Sequence, residues 1–415
     1  MARKGSEEDL SLENDYSVAC LPVYEPQVVN VLNDGNCDGY FVIDRSVLGR
    51  CWGGIRVAAD LTLAEVKILA RTMTMKSILA GVPIGGAKCG IRTRAKWVKT
   101  DQVLSLISQL IGRYIRKQSY FLGTDIGFSK KDANQVYELA GSRRRIFSGR
   151  LSPGVCCAHS ILASIEYVKQ MNPKMEAETV ALEGFGNMAV PTAKLLTSEG
   201  YRIIAVSNID GTLEDPSNLN IEELAEMANS TQNGFLSRYA HQHPTATFQS
   251  GNSINFKVCD ILIPGARVFS INETAARMIK TKLVCPIANS PITAAAEQTF
   301  ARKGIVSIPD VISNSGAIIG CFAQQLGANE SQTRRIITDI INSNLRKVFL
   351  GSSKDRIPKL LAQDAAIQRI RSLDQSERIV ALQWLAPWFR EFGLSSVFRA
   401  LNEYLSLQIL GAFPA

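Results

Sequence analysis

The chain has 415 residues, of which 46% are hydrophobic and 20% are charged. This length exceeds one ordinary domain and the composition is that of a globular protein with an ample core, so we expect two domains. The nine scattered cysteines include no Cys-x-x-Cys pair and are accompanied by only three histidines, which disfavours both a zinc site and a disulfide framework. We therefore expect a cytoplasmic protein without a resident metal.

The formal net charge of +8 raises nucleic acid as a partner. Basic residues gather at 92–99 and 143–145, but aromatic side chains are not interleaved with them and no nucleic-acid-binding motif accompanies them. We favour a solvated face, or a field that attracts anionic small molecules, and expect no nucleic acid. Neither a membrane span nor a targeting leader is expected, because no apolar run reaches spanning length and the first fifteen residues contain none.

In the first third of the chain, apolar residues recur at three- and four-residue steps from 60 to 79, which predicts a helix that carries Lys76 near its end. A second helical pattern covers 102–115. Between the two patterns, the segment VPIGGAKCGI (82–91) places Lys88 among glycines. One interpretation is a glycine-rich turn with an exposed lysine; the other is a cleft floor in which poor solvation lowers the pKa of Lys88 toward neutrality.

After Pro153 the pattern changes to short apolar runs that alternate with helical patterns, which predicts a parallel sheet. The predicted strands are 179–183, 201–207, 260–263, 283–285 and 305–308. Everything beyond Cys321 is predicted to be helical.

The clearest motif of this half is Gly184-x-Gly186-x-x-Ala189, between the first predicted strand and a helix that should end near residue 199. Glycines there permit the turn and a close approach of a pyrophosphate, and a small third residue lets the helix pack on the strand, so we predict a dinucleotide-binding fold. The next strand ends at Asn208, where an acidic residue would bind the ribose of NAD, and Asp210 comes two residues later. NAD and NADP therefore both stay open.

Seven segments occur in one order between about residue 40 and residue 325: WGGIR, TMKSILAGVPIGGAKCGI, GTDIG, ALEGFGNMA, CDILIPGA, IANSP and IPDVISNSGA. With them the chain resembles the Glu/Leu/Phe/Val dehydrogenases, a family of L-amino acid dehydrogenases. The resemblance implies an α/β protein with a substrate and assembly domain at 1–152, a Rossmann-type domain at 153–322 and a helical return with a C-terminal extension at 323–415. It also implies an active site in the cleft between the domains and a homo-oligomer, most often a hexamer.

The activity implied by the resemblance is the reversible oxidative deamination of an L-amino acid to a 2-oxo acid and ammonia, with NAD or NADP. Lys88 matches the catalytic lysine, Asp125 the carboxylate that shuttles protons, and Lys76 the lysine that holds the substrate's α-carboxylate. A desolvated lysine near a second cation can indeed work near neutral pH, although Asp125 could also serve only as a local cap. The predicted cofactor contacts are Gly184, Phe185, Gly186, Asn187, Asn208, Asn289 and Asn314.

The predicted substrate side chain departs from that of the glutamate dehydrogenases. In those enzymes a lysine at the place of Trp52 and a serine at about the place of Cys321 bind the distal carboxylate. With both anchors replaced, we predict an apolar or aromatic side chain. The alternatives are a glutamate dehydrogenase with a rearranged pocket, and a cofactor-binding protein without turnover, since Cys156 and Ser315 alter the positions around the reactive end of the cofactor.

The segment from about 372 to 415 has no evident counterpart in the family. Its helical stripe of apolar residues is expected to pack on the first domain or, failing that, to contact another subunit. The stripe consists of Leu394, Val397, Phe398, Leu401 and Leu405, with Trp384 and Trp388 ahead of it.

Overall fold

The computed structural model describes residues 25–93, 100–230, 234–352 and 357–372, together with Trp388. These residues form two compact units. Unit 1 consists of the described residues within 1–149, 325–327 and 363–415, and unit 2 of those within 150–324 and 328–362. The predicted helical return, 323–415, is thus divided between the two units.

Unit 1 contains a five-stranded mixed sheet with the strand order β1-β2-β4-β3-β5. Strands β1, β2 and β4 are antiparallel neighbours, whereas β3 runs parallel to both β4 and β5. The strands are β1 Val28–Asn33, β2 Cys37–Arg45, β3 Cys51–Ala58, β4 Gly85–Thr93 and β5 Tyr120–Thr124. The helices are α1 Leu63–Leu79, α2 Thr100–Arg116 and α3 Lys130–Leu139.

The two faces of this sheet are covered by different helices. On one face, Phe41 of β2 and Cys89 of β4 share an apolar cluster with residues of α2 and α3. On the other face, Val42 of β2 packs with Val66 and Ala70 of α1. Because successive residues of a strand point to opposite faces, the alternation along β2 explains how one strand serves both layers.

The glycine-flanked lysine segment forms strand β4, so its interpretation as a turn is wrong. The glycines on either side of Lys88 serve helix packing instead. A Cβ atom at Gly86 would lie 2.1 Å from the backbone nitrogen of Thr74, and one at Gly90 would lie 2.8 Å from Val66 Cγ2. Residues with side chains would therefore push α1 away from the face on which Lys88 lies.

Unit 2 contains a seven-stranded sheet with the order β12-β11-β10-β6-β7-β8-β9. Its strands are β6 Thr179–Glu183, β7 Arg202–Ser207, β8 Gly211–Glu214, β9 Thr247–Ser250, β10 Ile261–Ile263, β11 Leu283–Val284 and β12 Val306–Ser307. Its helices are α4 Pro153–Met171, α5 Ala189–Ser198, α6 Ile221–Ser230, α7 Phe235–Gln242, α8 Glu273–Met278, α9 Ala294–Lys303, α10 Asp310–Ser313, α11 Gly316–Gln325 and α12 Glu330–Leu350, with a 3₁₀ turn at Ile254–Phe256. A further helix covers 358–372, and its residues from 363 onward belong to unit 1.

The predicted α/β fold and parallel sheet are confirmed. All five predicted strands are present, and they form the parallel part of the sheet, from β12 to β7. Strands β8 and β9 add an antiparallel edge that the sequence analysis did not predict. The turn before β8 contains Asn208 and Asp210, residue types that suit a hairpin turn as well as a ribose-binding position.

Most of the C-terminal segment, including the predicted apolar stripe and Trp384, lies outside the described residues. Within unit 1, Trp388 is buried and donates its indole N–H to the carbonyl of Gly81, at 3.1 Å. Arg369 donates to the carbonyl of Ile78, at 2.7 Å. Both contacts supply partners to carbonyl groups at the end of α1, beside Lys76. In the part of the chain that the structure describes, no helix has the length and apolar character needed to cross a bilayer.

Candidate active site

The centre of the candidate site in unit 1 is an ion pair between Lys88 and Asp125. Lys88 lies in the middle of β4, and Asp125 follows the end of β5, with β3 between the two strands. The Lys88 Nζ group donates to Asp125 Oδ2. Only 3% of the Lys88 side chain and 15% of the Asp125 side chain are exposed, so the pair is largely removed from water.

A second cation, Arg56 of β3, binds the same carboxylate. Its Nη2 donates to Asp125 Oδ1 at 3.2 Å, and its Nη1 donates to Glu65 Oε1 of α1 at 2.7 Å. The sequence analysis assigned no role to Arg56 or Glu65. The signal for them was a basic and an acidic residue, nine positions apart, in segments otherwise suited to burial, because charged residues are rarely buried unless they are paired.

The absence of a side chain at Gly54 leaves space for the cluster of Lys88, Asp125 and Arg56. A Cβ atom at Gly54 would lie 2.8 Å from the carbonyl oxygen of Thr124, 3.1 Å from Asp125 Cβ and 3.2 Å from Lys88 Nζ. Any side chain here would displace the ion pair or fill the space beside the amine. The site itself therefore requires glycine at position 54. Glycine at position 53 is required by the close approach of β4, because a Cβ atom there would lie 1.7 Å from the carbonyl oxygen of Ala87.

Burial and neighbouring charges shift the proton affinity of both members of the pair. Burial lowers the pKa of Lys88; Asp125 opposes this shift and the positive charge of Arg56 reinforces it. For Asp125, burial alone would raise the pKa, but Lys88 and Arg56 outweigh it and hold the pKa at about 2. The site therefore combines an ionised carboxylate with an amine that releases its proton more readily than an ordinary lysine, an arrangement suited to proton transfer.

The two predicted substrate contacts in unit 1 are joined through α1. Lys76 is buried in the last turn of this helix. The next residue, Ser77, accepts a hydrogen bond from the indole N–H of Trp52, at 2.8 Å. Trp52 therefore uses its polar atom within the protein and has only its aromatic surface for other contacts. Cys321 lies on α11 in unit 2, where burial raises the pKa of its thiol to about 12. A pocket shared by Trp52 and Cys321 stays a prediction.

In unit 2, the predicted phosphate-binding loop connects β6 to α5. Gly184 has φ +84°, a left-handed conformation that favours glycine, and its Cβ position would lie 3.1 Å from the carbonyl oxygen of Gly265. The Cβ position of Gly186 faces open space, and Asn187 is exposed. The Phe185 ring is buried against Phe235, at 6.0 Å between ring centroids, so only its backbone is left for the predicted cofactor contact.

Beyond Asn187, the three other predicted cofactor asparagines fall into two groups. Asn314 donates to Asn289 Oδ1 at 3.3 Å and to the carbonyl of Ala288 at 2.6 Å, so the structure brings Asn314 and Asn289 together. Asn208 follows β7, and its Oδ1 accepts hydrogen bonds from the backbone N–H groups of Asp210 and Gly211. Asn208 thus closes the β7–β8 turn, and its Nδ2 donates to Asp210 at 3.3 Å.

These residues fit a dinucleotide. The loop after β6 leaves space at Gly186 next to backbone groups at the start of a helix, which suits a pyrophosphate. The buried Asn314 Oδ1 has no hydrogen-bond partner among the described residues, and a buried polar atom of this kind requires one. The carboxamide of a nicotinamide is a donor that would satisfy it. Within the same described ranges, no three His, Cys, Asp or Glu side chains are grouped so as to hold a metal ion.

Comparison with known proteins places the chain in a family. The model described as Glutamate/Leucine/Phenylalanine/Valine dehydrogenase matches residues 152–376, and that described as Glu/Leu/Phe/Val dehydrogenase, dimerisation domain, matches residues 24–139. The chain belongs to the Glu/Leu/Phe/Val dehydrogenase family, as its motifs predicted. It is therefore an oxidoreductase of the amino acid dehydrogenase class, for which NAD or NADP is the cofactor.

Among curated relatives, the NADP-specific glutamate dehydrogenase of Saccharolobus shibatae is 30% identical over 354 residues, 78% of this chain and 81% of that protein. The NAD-specific glutamate dehydrogenase of Staphylococcus aureus strain COL is 27% identical over 313 residues, 70% and 73% of the two chains. A solved glutamate dehydrogenase superimposes with a TM-score of 0.71 at 23% identity, covering 89% of this chain and 93% of its own. The hetero-hexameric glutamate dehydrogenase of Thermus thermophilus, in a Leu-bound form, gives 0.67 at 18% identity, covering 88% and 95%. The two structures show the shared fold.

The low pKa of Asp125 predicts how stability depends on pH. A carboxyl whose folded-state pKa falls from 3.8 to about 2 stabilises the fold by about 2 kcal/mol at neutral pH. That contribution is complete above pH 3.8 and is lost as the pH falls through about 2. Urea unfolding should show Asp125→Asn to be less stable than the parent protein at pH 7, with the gap narrowing by roughly half at pH 3. A gap that stays constant would contradict this electrostatic account.

Proposed function

We propose that this protein catalyses the reversible NAD(P)-dependent oxidative deamination of an L-amino acid, with Lys88 and Asp125 as the acid–base pair. The observation that carries the proposal is the contact between a buried lysine and a buried carboxylate beside the space left by Gly54. Burying two ionised groups costs free energy, and their position beside this space suits proton transfer to a bound substrate.

The three predicted site residues Lys76, Lys88 and Asp125 of unit 1 have distinct roles in the proposed reaction. Lys76 binds the α-carboxylate of the substrate. Asp125 takes a proton from the amino nitrogen, and Lys88 activates the water that attacks the imino carbon and polarises the carbonyl in the reverse direction. Gly184, Gly186, Asn187, Asn289 and Asn314 are the residues that would hold the dinucleotide, which when bound would supply the acceptor for the α-hydrogen as hydride.

Removing either member of the acid–base pair should abolish turnover without unfolding the protein. A positioned proton-transfer group contributes roughly 10²–10⁴-fold to the rate. We therefore expect Lys88→Ala and Asp125→Asn each to lose at least about 100-fold in kcat, measured from the absorbance of the reduced nicotinamide. Cofactor affinity, measured by calorimetry, should change little, because the predicted cofactor contacts lie in unit 2.

Lys76→Ala is the matched control within the same unit. An anchor that is used equally in the ground state and the transition state changes KM more than kcat, so this variant should mainly raise KM. A Lys88 or Asp125 variant that keeps more than about a tenth of the parent kcat would refute that residue's role. No turnover by the parent protein with any amino acid, together with normal cofactor binding, would favour the non-catalytic alternative.

Two substrate classes compete for this site. Glutamate is the first candidate, because the curated relatives named above are glutamate dehydrogenases. An apolar or aromatic amino acid is the second, favoured by Trp52, whose indole N–H is already bound to Ser77. An indole wall with no free donor offers nothing to a distal carboxylate, and burying an unpartnered carboxylate costs several kcal/mol, whereas an apolar side chain gains roughly 1.5–3 kcal/mol.

A substrate panel separates the two classes. If Trp52 sets the preference, kcat/KM for leucine, valine, phenylalanine or tryptophan exceeds that for glutamate, and Trp52→Lys combined with Cys321→Ser shifts the preference toward glutamate. Trp52→Phe is the control, since it keeps an aromatic wall and adds no cation. A tenfold advantage of glutamate in the parent protein would establish the first candidate and reject the second. An unaltered ratio in the double variant would show that Trp52 and Cys321 do not line the pocket.

The protein is also proposed to form a homo-oligomer. Support comes from the family model for residues 24–139, which is described as a dimerisation domain, and from β1, an edge strand with Val29 and Val31 exposed by 41% and 54%. Light scattering should give a multiple of the 45.4 kDa chain mass. Val29→Lys combined with Val31→Lys should lower that mass. Leu350→Lys, a change of an exposed residue in unit 2, should leave the mass unchanged. A single-chain mass for the parent protein would contradict assembly.

A further inference from the structure

The buried Arg56–Glu65 pair has no role in the proposed chemistry, although it lies against the acid–base pair. Their side chains are 6% and 7% exposed. Replacing such a pair by apolar residues of similar size is often neutral or stabilising, so the pair is a poor device for stability alone. Its contact with Asp125 points to a role in the site.

The hydrogen bonds of Asp125 divide cleanly between its two oxygens. Oδ1 accepts from Arg56 Nη2 at 3.2 Å and from the backbone N–H of Ile126 at 2.7 Å. Oδ2 accepts from Lys88. Rotation of the carboxylate out of its present plane would break both contacts of Oδ1. Arg56 and the Ile126 amide therefore fix the oxygen that faces the amine.

Glu65 in turn fixes Arg56. Its carboxylate accepts from Nη1, and its backbone N–H is held by Thr62 Oγ1 at the start of α1, at 3.1 Å. Since the two guanidinium nitrogens that bind Glu65 and Asp125 are different and lie in one rigid plane, the first contact determines where the second can be made. A lysine, with a single ammonium, could not reproduce this arrangement.

We propose that Arg56, clamped by Glu65, is a positioning residue that directs one carboxylate oxygen of Asp125 at the Lys88 amine. This inference rests on the proposed function of that pair. The guanidinium also acts through its charge, because it lowers the pKa of Lys88 and that of Asp125. It thereby favours the state in which the carboxylate is ionised and the amine can lose its proton.

The test replaces the pair as a unit, with Arg56→Met and Glu65→Met combined, so that no unpaired charge stays buried. The control is the other buried pair that α1 contributes, Arg71 and Asp44, joined at 2.8 Å with side chains 5% and 1% exposed. Arg71→Met combined with Asp44→Leu removes a comparable pair that makes no contact with Lys88 or Asp125 among those resolved in the described residues. Arg56→Lys is a third variant, which keeps the positive charge but lacks the two coplanar nitrogens that bind Glu65 and Asp125.

Two measurements are made on each variant. The first is the pH dependence of kcat, together with KM. The second is the labelling of Lys88 by acetic anhydride as a function of pH, quantified by peptide mass spectrometry. Loss of the positive charge of Arg56 raises the pKa of Lys88, and loss of the negative charge of Glu65 lowers it by less. The pKa of Lys88 therefore rises, and less neutral amine is present at a given pH. We expect the acidic limb of the profile and the labelling midpoint of the Arg56–Glu65 variant both to move to higher pH. Its kcat should fall roughly 10- to 100-fold with little change in KM.

The control variant should leave the limb and the midpoint in place, and Arg56→Lys should keep the midpoint near that of the parent while kcat falls. Equal losses of kcat in the Arg56–Glu65 and Arg71–Asp44 variants would show that Arg56 has only a structural role. An unshifted labelling midpoint in the Arg56–Glu65 variant would show the same. If the double variant does not fold, Arg56→Lys decides the geometric claim through kcat alone. If the parent protein shows no turnover, the proposed function fails, whereas the labelling still tests the electrostatic effect of Arg56.

Discussion

A buried lysine bound to a buried carboxylate is the constraint around which unit 1 is organised. Each charge would cost several kcal/mol if it were buried alone, so Lys88 and Asp125 depend on each other and on Arg56. That dependence requires strands β3, β4 and β5 to lie side by side, in a parallel arrangement that places the three charged groups together. The glycines of β3 and β4 are then consequences, since side chains at Gly54 or Gly86 would separate the elements that the charges hold together.

Much of the nucleotide-binding unit could be predicted from sequence, because its signals are local. A strand, a Gly-x-Gly-x-x-Ala turn and a helix follow one another within about twenty residues, and each short apolar strand is bounded by its own breakers. The sheet of unit 1 gives weaker signals. Strand β4 is rich in glycine, a residue with low strand propensity, and its pairing with β2 and β3 and packing against α1 make it a strand. Propensity therefore indicated a turn where packing imposes a strand.

In the candidate site, too, the residues in local motifs could be predicted and those defined by tertiary contacts could not. The motifs identified Lys88 and Asp125, and the structure places them in contact. Arg56 and Glu65 could not be identified from spacing, because their roles arise from a contact with Asp125 that joins positions 69 residues apart. The cation that contacts Asp125 together with Lys88 is Arg56, on the neighbouring strand, and not the predicted Lys76. Trp52 is visible in the sequence as a departure from the glutamate dehydrogenases, but its hydrogen bond to Ser77 depends on how β3 and α1 pack together, which the sequence does not reveal.

The central claim is that Lys88 and Asp125 act as one proton-transferring unit, and a double-mutant cycle on turnover tests it most directly. The kcat of Lys88→Ala, Asp125→Asn and their combination would be measured with the best substrate under saturating cofactor. Two groups that act together lose their function when either is removed, so the combined variant should be no slower than the slower single variant by more than about threefold. Losses that multiply across the two positions would show that the residues act independently and would contradict the account.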